Sequence, residues 1–197
     1  MSDITIISTK SAYIGNNLPD TNYGDSIHLA DGRYSGGEYY YSLVEFDLTT
    51  CPSTIKTALL YYTVYAVVEG SGCSSIVKRN TASWLENTVT WNTKPATTGN
   101  YGTFNLNAAG AKSVDITNLI KEWKTGTYSN YGLTLENTMA AGNYTLSRSD
   151  DYATEAERPR LVIPSKAGGI LLLLSEAWEK HDNLWKPKIL IPRENYC

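Results

Sequence analysis

The chain has 197 residues, of which 42% are hydrophobic and 19% charged, and a formal net charge of −3. This is enough apolar surface for one packed core and too little charge for a disordered chain; the length fits one β-sandwich, alone or with a short appendage. The acidic balance excludes the broad cationic footprint that holds nucleic acid or anionic lipid, and no run reaches the roughly 20 apolar residues needed to cross a bilayer.

Taken in order, short runs of period-two alternation are separated by Gly, Asn, Asp, Ser and Pro, the pattern of strands and turns. Met1 leads straight into Ser-Asp-Ile-Thr-Ile-Ile, without the basic start and apolar core of a secretion signal, so the expectation is a mature chain or one kept in the cytosol until release. Strands are expected at 4–8 and 26–30. Within 39–48, Val44, Phe46 and Leu48 share one face, while Tyr39, Tyr41, Leu43 and Glu45 share the other. Within 58–68 the inward set is Ala58, Leu60, Tyr62, Val64 and Ala66, which leaves Leu59, Tyr61, Thr63 and Tyr65 outward. Further strands are expected at 74–79, 102–106, 112–114, 131–136, 144–147 and 160–163. A short helix after Asp115 or Thr117, carrying Leu119, Ile120 and Trp123 on one side and ending near Gly126, would cover an open end. The fold class is therefore all-β: a two-sheet antiparallel sandwich of jelly-roll type with one short helix and a C-terminal extension.

That extension, 165–197, differs in character from the domain expected over 1–164. It holds an apolar run at 170–174 and a second at 189–191, and it reads either as extra strands on the parent sheet or as an arm docking on another subunit. Its basic residues Lys186, Lys188 and Arg193 read as solubilising charges. Cys51, Cys73 and Cys197 are odd in number and form no C-x-x-C pair, so they indicate neither a disulfide framework nor a zinc site, and a Cys51–Cys73 bridge stays open.

Seven features stand in order between residues 4 and 163: Asn22-Tyr23-Gly24; Leu43-Val44-Glu45-Phe46-Asp47-Leu48; Ala58 with Leu60; Trp84-Leu85-Glu86-Asn87-Thr88-Val89-Thr90-Trp91-Asn92 with Pro95; Val114-Asp115-Ile116-Thr117 with Trp123; Asn130-Tyr131-Gly132-Leu133; and Arg158-Pro159-Arg160-Leu161. In these the chain resembles the DNRLRE-type domains, β-sandwich modules of bacterial and archaeal surface proteins related to carbohydrate-binding modules. The segment Ser147-Arg148-Ser149-Asp150-Asp151 departs from the family's pattern before the final strand, and everything beyond Pro164 lies outside it.

Trp84 and Trp91 are expected in the core, and Asp47 and Asp115 as acceptors of turn N–H groups. Asp20, Asn22, Asp25 and Asp31 gather hard oxygen ligands and are the candidate calcium set, without EF-hand spacing; no other cofactor is indicated. Tyr39 and Tyr41 on one strand and Tyr61 and Tyr65 on another point away from the core; were those strands neighbours, the rings would form a flat platform for a glycan or a subunit contact, with Tyr23 added from a loop. Only His28 and His181 are present and no hydrolase, metalloprotease or P-loop signature occurs, so no catalytic residues are assigned.

Two functions follow. The first is a non-catalytic structural or adhesion subunit of an assembled particle, a virion decoration, fibre or tail protein or a surface filament, with neighbouring subunits as partners. The alternative is a carbohydrate-binding module of a surface or secreted protein, with a glycan as partner. Both place the chain on a virion, outside the cell or at the cell surface, with no nucleic acid and no membrane span.

Overall fold

Each alternating run becomes a strand because its apolar residues, taken every second position, can bury one face only against a second layer. The computed structural model describes residues 2–137, 139–164, 178–181 and 184–187. Its elements are β1 (Ile4–Gly15), β2 (His28–Arg33), β3 (Tyr39–Phe46), β4 (Leu59–Glu69), β5 (Cys73–Asn80), β6 (Thr97–Thr98), β7 (Thr103–Leu106), β8 (Gly110–Asp115), α1 (Thr117–Lys124), β9 (Leu133–Asn137), β10 (Asn143–Arg148), β11 (Arg160–Ile163), β12 (Trp178–His181) and β13 (Leu184–Pro187).

All the ladders are antiparallel. In one layer β4 pairs with β8 on one side and with β11 and β10 on the other, and β2 lies outside β10. The second layer runs from β3 through β9 to β5, which pairs with β6 and β7. β1 belongs to both. Ile4–Ile7 pair with β11, and from Ser8 to Gly15 the strand pairs with β3, with a register slip between Ser8 and Lys10. A bulge bends a strand and sharpens its twist, which is how one strand turns the corner from sheet to sheet.

The inward rows meet between the layers. Leu29, Val44, Phe46, Leu60, Tyr62, Val64, Val77, Phe104, Leu106, Leu133, Leu135 and Leu161 are all fully buried there, each contributing roughly 1.5–3 kcal/mol of hydrophobic burial. Leu119, Ile120 and Trp123 of α1 join the same cluster. No side chain caps the helix at Ile116, in place of the expected Asp115 or Thr117 cap. Asp115 instead accepts from the Thr117 N–H and hydroxyl, and the Thr117 oxygen accepts from the Ala58 N–H at 2.9 Å, tying the helix start to β4.

The expected inward row of β4 holds to Val64 and then breaks. The β4–β10 register slips between Leu146 and Ser147, so Ala66 stands opposite Leu146 and Val67 takes the place against the core. Cys51 and Cys73 are buried free thiols. Residues 1–165 form one compact unit and 166–197 another. In the second, β12 pairs with β13 from Trp178↔Pro187 to His181↔Leu184. The apolar runs 170–174 and 189–191, on which the docking-arm expectation rested, lie outside the described residues.

Candidate functional site

In the run Tyr39-Tyr40-Tyr41 the pleat sends alternate rings to opposite sides of the layer. Tyr40 shares its side with Ser42 and Val44, but it sits at the end of β3, where the core has run out. There the β2–β3 ladder is short, Gly32↔Tyr40 and Arg33↔Tyr39. Beside it the outward face of the β2–β10 ladder is lined with rings.

Tyr40 lies 5.0 Å from Tyr144 of β10 and 6.4 Å from Tyr13 of β1, measured between ring centroids. Tyr13 stacks on Tyr23 at 4.2 Å and on His28 of β2 at 5.7 Å, and His28 meets the edge of Tyr65 on β4 at 6.3 Å. Tyr34 extends the row beyond Tyr144 at 6.1 Å. At the other end the Arg148 guanidinium lies 4.2 Å from the Tyr65 centroid and 3.9 Å from that of Tyr152, and Glu157 holds it at 3.3 Å. All these rings keep part of their surface in water.

The register explains the gathering. Tyr144 is opposite Gly32 and Arg148 is opposite His28, so the four positions share one face of the β2–β10 ladder. Gly32, at φ +126°, must lack a side chain because a Cβ would stand 2.2 Å from the Asn143 carbonyl oxygen. Tyr23 is carried on a pinned loop: Asn22 donates from Nδ2 to the Glu86 and Val89 carbonyls, at 2.7 Å each, and its Oδ1 accepts from the Gly24 N–H. Gly24 packs so closely on Glu86 that a Cβ would meet the Glu86 carbonyl oxygen at 2.3 Å. The Glu86 side chain in turn accepts from the Ser11 N–H at 2.6 Å. The Asn-Tyr-Gly and Trp-block motifs are thus two halves of one buttress under Tyr23.

Burial, followed by the neighbouring Tyr23, Tyr40 and Tyr65, pushes the Tyr13 hydroxyl up to about 12. Burial is also the first cause raising Tyr40, Tyr65 and Tyr144, and burial followed by Arg148 holds His28 below its ordinary value. Burial therefore favours the uncharged forms of Tyr13, Tyr40, Tyr65, Tyr144 and His28. The row offers ring faces, hydroxyls that donate and accept, and a neutral imidazole.

The residues expected at the site fall in three places. In the strand path β10 and β2 stand between β4 and β3, so Tyr39 and Tyr41 do not share a platform with Tyr61 and Tyr65. Tyr65 and Tyr23 enter the row just described. Tyr61 pairs instead with Arg160, 5.2 Å from its ring. Tyr39 and Tyr41 lie on the outside of the second layer beside Trp91. Tyr13, His28, Tyr40, Tyr144 and Arg148 join the row without having been singled out from the sequence, because their proximity depends on long-range register.

The four proposed calcium ligands are likewise spread. Asp31 faces the core and accepts from Ser42, Asn22 holds the loop, and Asp20 accepts from Asn92 at 2.8 Å. Asp25 adds to burial in pushing up the carboxyl of Asp151. Among the described residues no three His, Cys, Asp or Glu side chains are placed to hold a metal ion. A pocket of about 640 Å³ beside α1, lined by Lys56, Asn100, Tyr101, Lys121 and Glu122 among others, contains a single ring, and the Tyr101 hydroxyl is already bonded to Glu122 at 2.7 Å.

Trp84 is buried, packs on Leu43, Ala12, Ile14 and Val89 in a second apolar cluster, and donates from its indole to the Tyr131 carbonyl at 3.0 Å. Trp91 covers the same cluster from its rim. No helix among the described residues is long and apolar enough to cross a membrane.

Residues 2–165 match the model of carbohydrate-binding module family 96, and the chain belongs to that family. No curated protein matches it. The family match supports the carbohydrate-binding relation implied by the resemblance, under a description other than the DNRLRE type, and it favours the alternative of the two functions over the particle subunit.

Proposed function

We propose that the chain is a carbohydrate-binding module of a surface or secreted protein and that it holds its glycan on the row Tyr34, Tyr144, Tyr40, Tyr13, His28 and Tyr65, with Tyr23 and Arg148 at its margins. One observation carries the assignment: these rings come from a loop and five different strands yet follow one another at 5.0–6.4 Å, half-exposed, along one flank of the sandwich. Sugar rings offer a C–H face that stacks on an aromatic and a rim of hydroxyls that bonds to phenols and imidazole. The row presents both kinds of group at once, whereas the pocket beside α1 offers polar groups with one ring.

The module works by holding the sugar, and no step of bond cleavage is assigned to it. Affinity electrophoresis through gels containing hydroxyethylcellulose, xylan, galactomannan, laminarin or polygalacturonate tests the assignment. At least one polymer should retard the chain, and Tyr13→Ala with Tyr144→Ala should weaken the retardation. Retardation unchanged by the two substitutions would place the glycan elsewhere.

A further inference from the structure

β3 supplies rings to both sides of its layer, and the odd-numbered pair leads to a second aromatic surface. Tyr39 and Tyr41 stand 6.2 Å apart on the outside of the β3–β9–β5 layer, and Trp91 lies 5.1 Å from Tyr41. Further along the same row Leu43 is fully buried beneath Trp84 and Val89. The cover stops at Trp91, and Tyr39, Tyr41 and Trp91 remain half-exposed.

Hydrogen-bonding groups bracket these rings. The Arg33 guanidinium lies 4.6 Å from the Tyr39 centroid, and Lys94 Nζ lies 4.0 Å from that of Trp91. Glu136 lies along the side, close enough that its charge adds to burial in raising the Tyr41 hydroxyl, and it accepts from Lys78 at 2.6 Å. Fully buried aromatics contribute about 150–250 Å² each, so three half-exposed rings amount to a few hundred Å² at most, below the ~800 Å² per partner of a standard protein interface. The patch has the size and the mixture of ring faces and polar rim that suit a short stretch of sugar.

We infer that Tyr39, Tyr41 and Trp91, with Arg33, Lys94 and Glu136 at their margin, form a second glycan-binding site, so that one module holds two glycan chains, one on each flank of the sandwich. The inference rests on the glycan-binding reading of the first row. Its consequence is that a single chain crosslinks a polysaccharide, and that retention on a polymer exceeds the affinity for a short oligosaccharide because the second contact is made at high effective concentration.

The test is calorimetric titration of the full chain with a hexaose cut from whichever of the five polymers retards it, together with turbidity of the chain mixed with that polymer. The parent should bind two hexaoses per chain and cloud the polymer. Tyr39→Ala with Tyr41→Ala, shown folded by an unchanged melting transition, should bind one and leave the polymer clear. Arg33→Gln with Lys94→Gln, which leaves the rings in place, should weaken one of the two sites at least tenfold. Tyr13→Ala with Tyr144→Ala should also bind one, and the combined variant none. A parent that binds one hexaose, with binding unchanged by either second-face variant, overturns this inference and leaves the first site standing; a parent that binds none of the polymers overturns both.

Discussion

Replacing Asp31 by asparagine should make this module more stable above neutral pH and leave it unchanged in acid. Asp31 is fully buried between the layers. Its Oδ1 accepts from the Ser42 hydroxyl at 2.8 Å and from the Ser42 N–H at 3.3 Å, while its Oδ2 has no partner among the described residues. Burial pushes the carboxyl from 3.8 up to about 7, against the opposing pull of the two Ser42 bonds. An unfolded chain ionises this group near its ordinary value, so between the two values the folded state holds the extra proton. Stability is then full below pH 3.8 and falls as pH rises toward about 7, by about 1.4 kcal/mol per pH unit, on the order of 4 kcal/mol in all. In Asp31→Asn the side-chain amide keeps an acceptor for Ser42 and has nothing to ionise. Urea unfolding of parent and variant from pH 4 to pH 8 isolates this contribution, since other titrating groups cancel in the difference. The variant should be favoured at pH 8 by a few kcal/mol and by close to nothing at pH 4. A difference that stays constant over that range, or that favours the parent at pH 8, would refute the reasoning.

Other perturbations test the framework under the rings. Gly24→Ala, by driving a Cβ onto the Glu86 carbonyl oxygen at 2.3 Å, should lower the melting temperature and displace Tyr23, seen as weaker glycan retardation in the same gels. Trp84→Ala should cost about 3–5 kcal/mol in chemical denaturation, the usual range for emptying a buried aromatic site, and Trp84→Phe should cost less, leaving the Tyr131 carbonyl with the Asn80 amide as its donor. Arg148→Gln removes a cation that rests on Tyr65 and Tyr152, and it should raise the His28 pKa toward its ordinary value, readable from the imidazole resonances in a pH titration.

The layered fold was legible in the sequence because inward rows such as Leu60-Tyr62-Val64 and Val44-Phe46 follow the period of the pleat, a local property. What local alternation leaves open is which strand lies beside which. Tyr39, Tyr41, Tyr61 and Tyr65 were correctly placed off the core, yet with β10 and β2 between β4 and β3 they divide between two surfaces. The second half of β1 escaped a strand expectation because Lys10-Ser11-Ala12 is polar and small, and with it went Tyr13, the ring at the centre of the row. The passage of β1 from β11 to β3 at Ser8, with a slip in register before Lys10, leaves no mark in composition. Likewise the Trp block was visible as a motif, but its work, holding Asn22 by the carbonyls of Glu86 and Val89, joins residues 64 and 67 positions apart.

Amide shift mapping tests the central claim most directly. With the isotope-labelled chain titrated by the hexaose, shifts are expected in His28–Arg33 and Asn143–Arg148, and at Tyr13, Tyr23, Tyr40 and Tyr65. Shifts confined to Lys56, Tyr101 and Lys121 beside α1, with those positions silent, would contradict it.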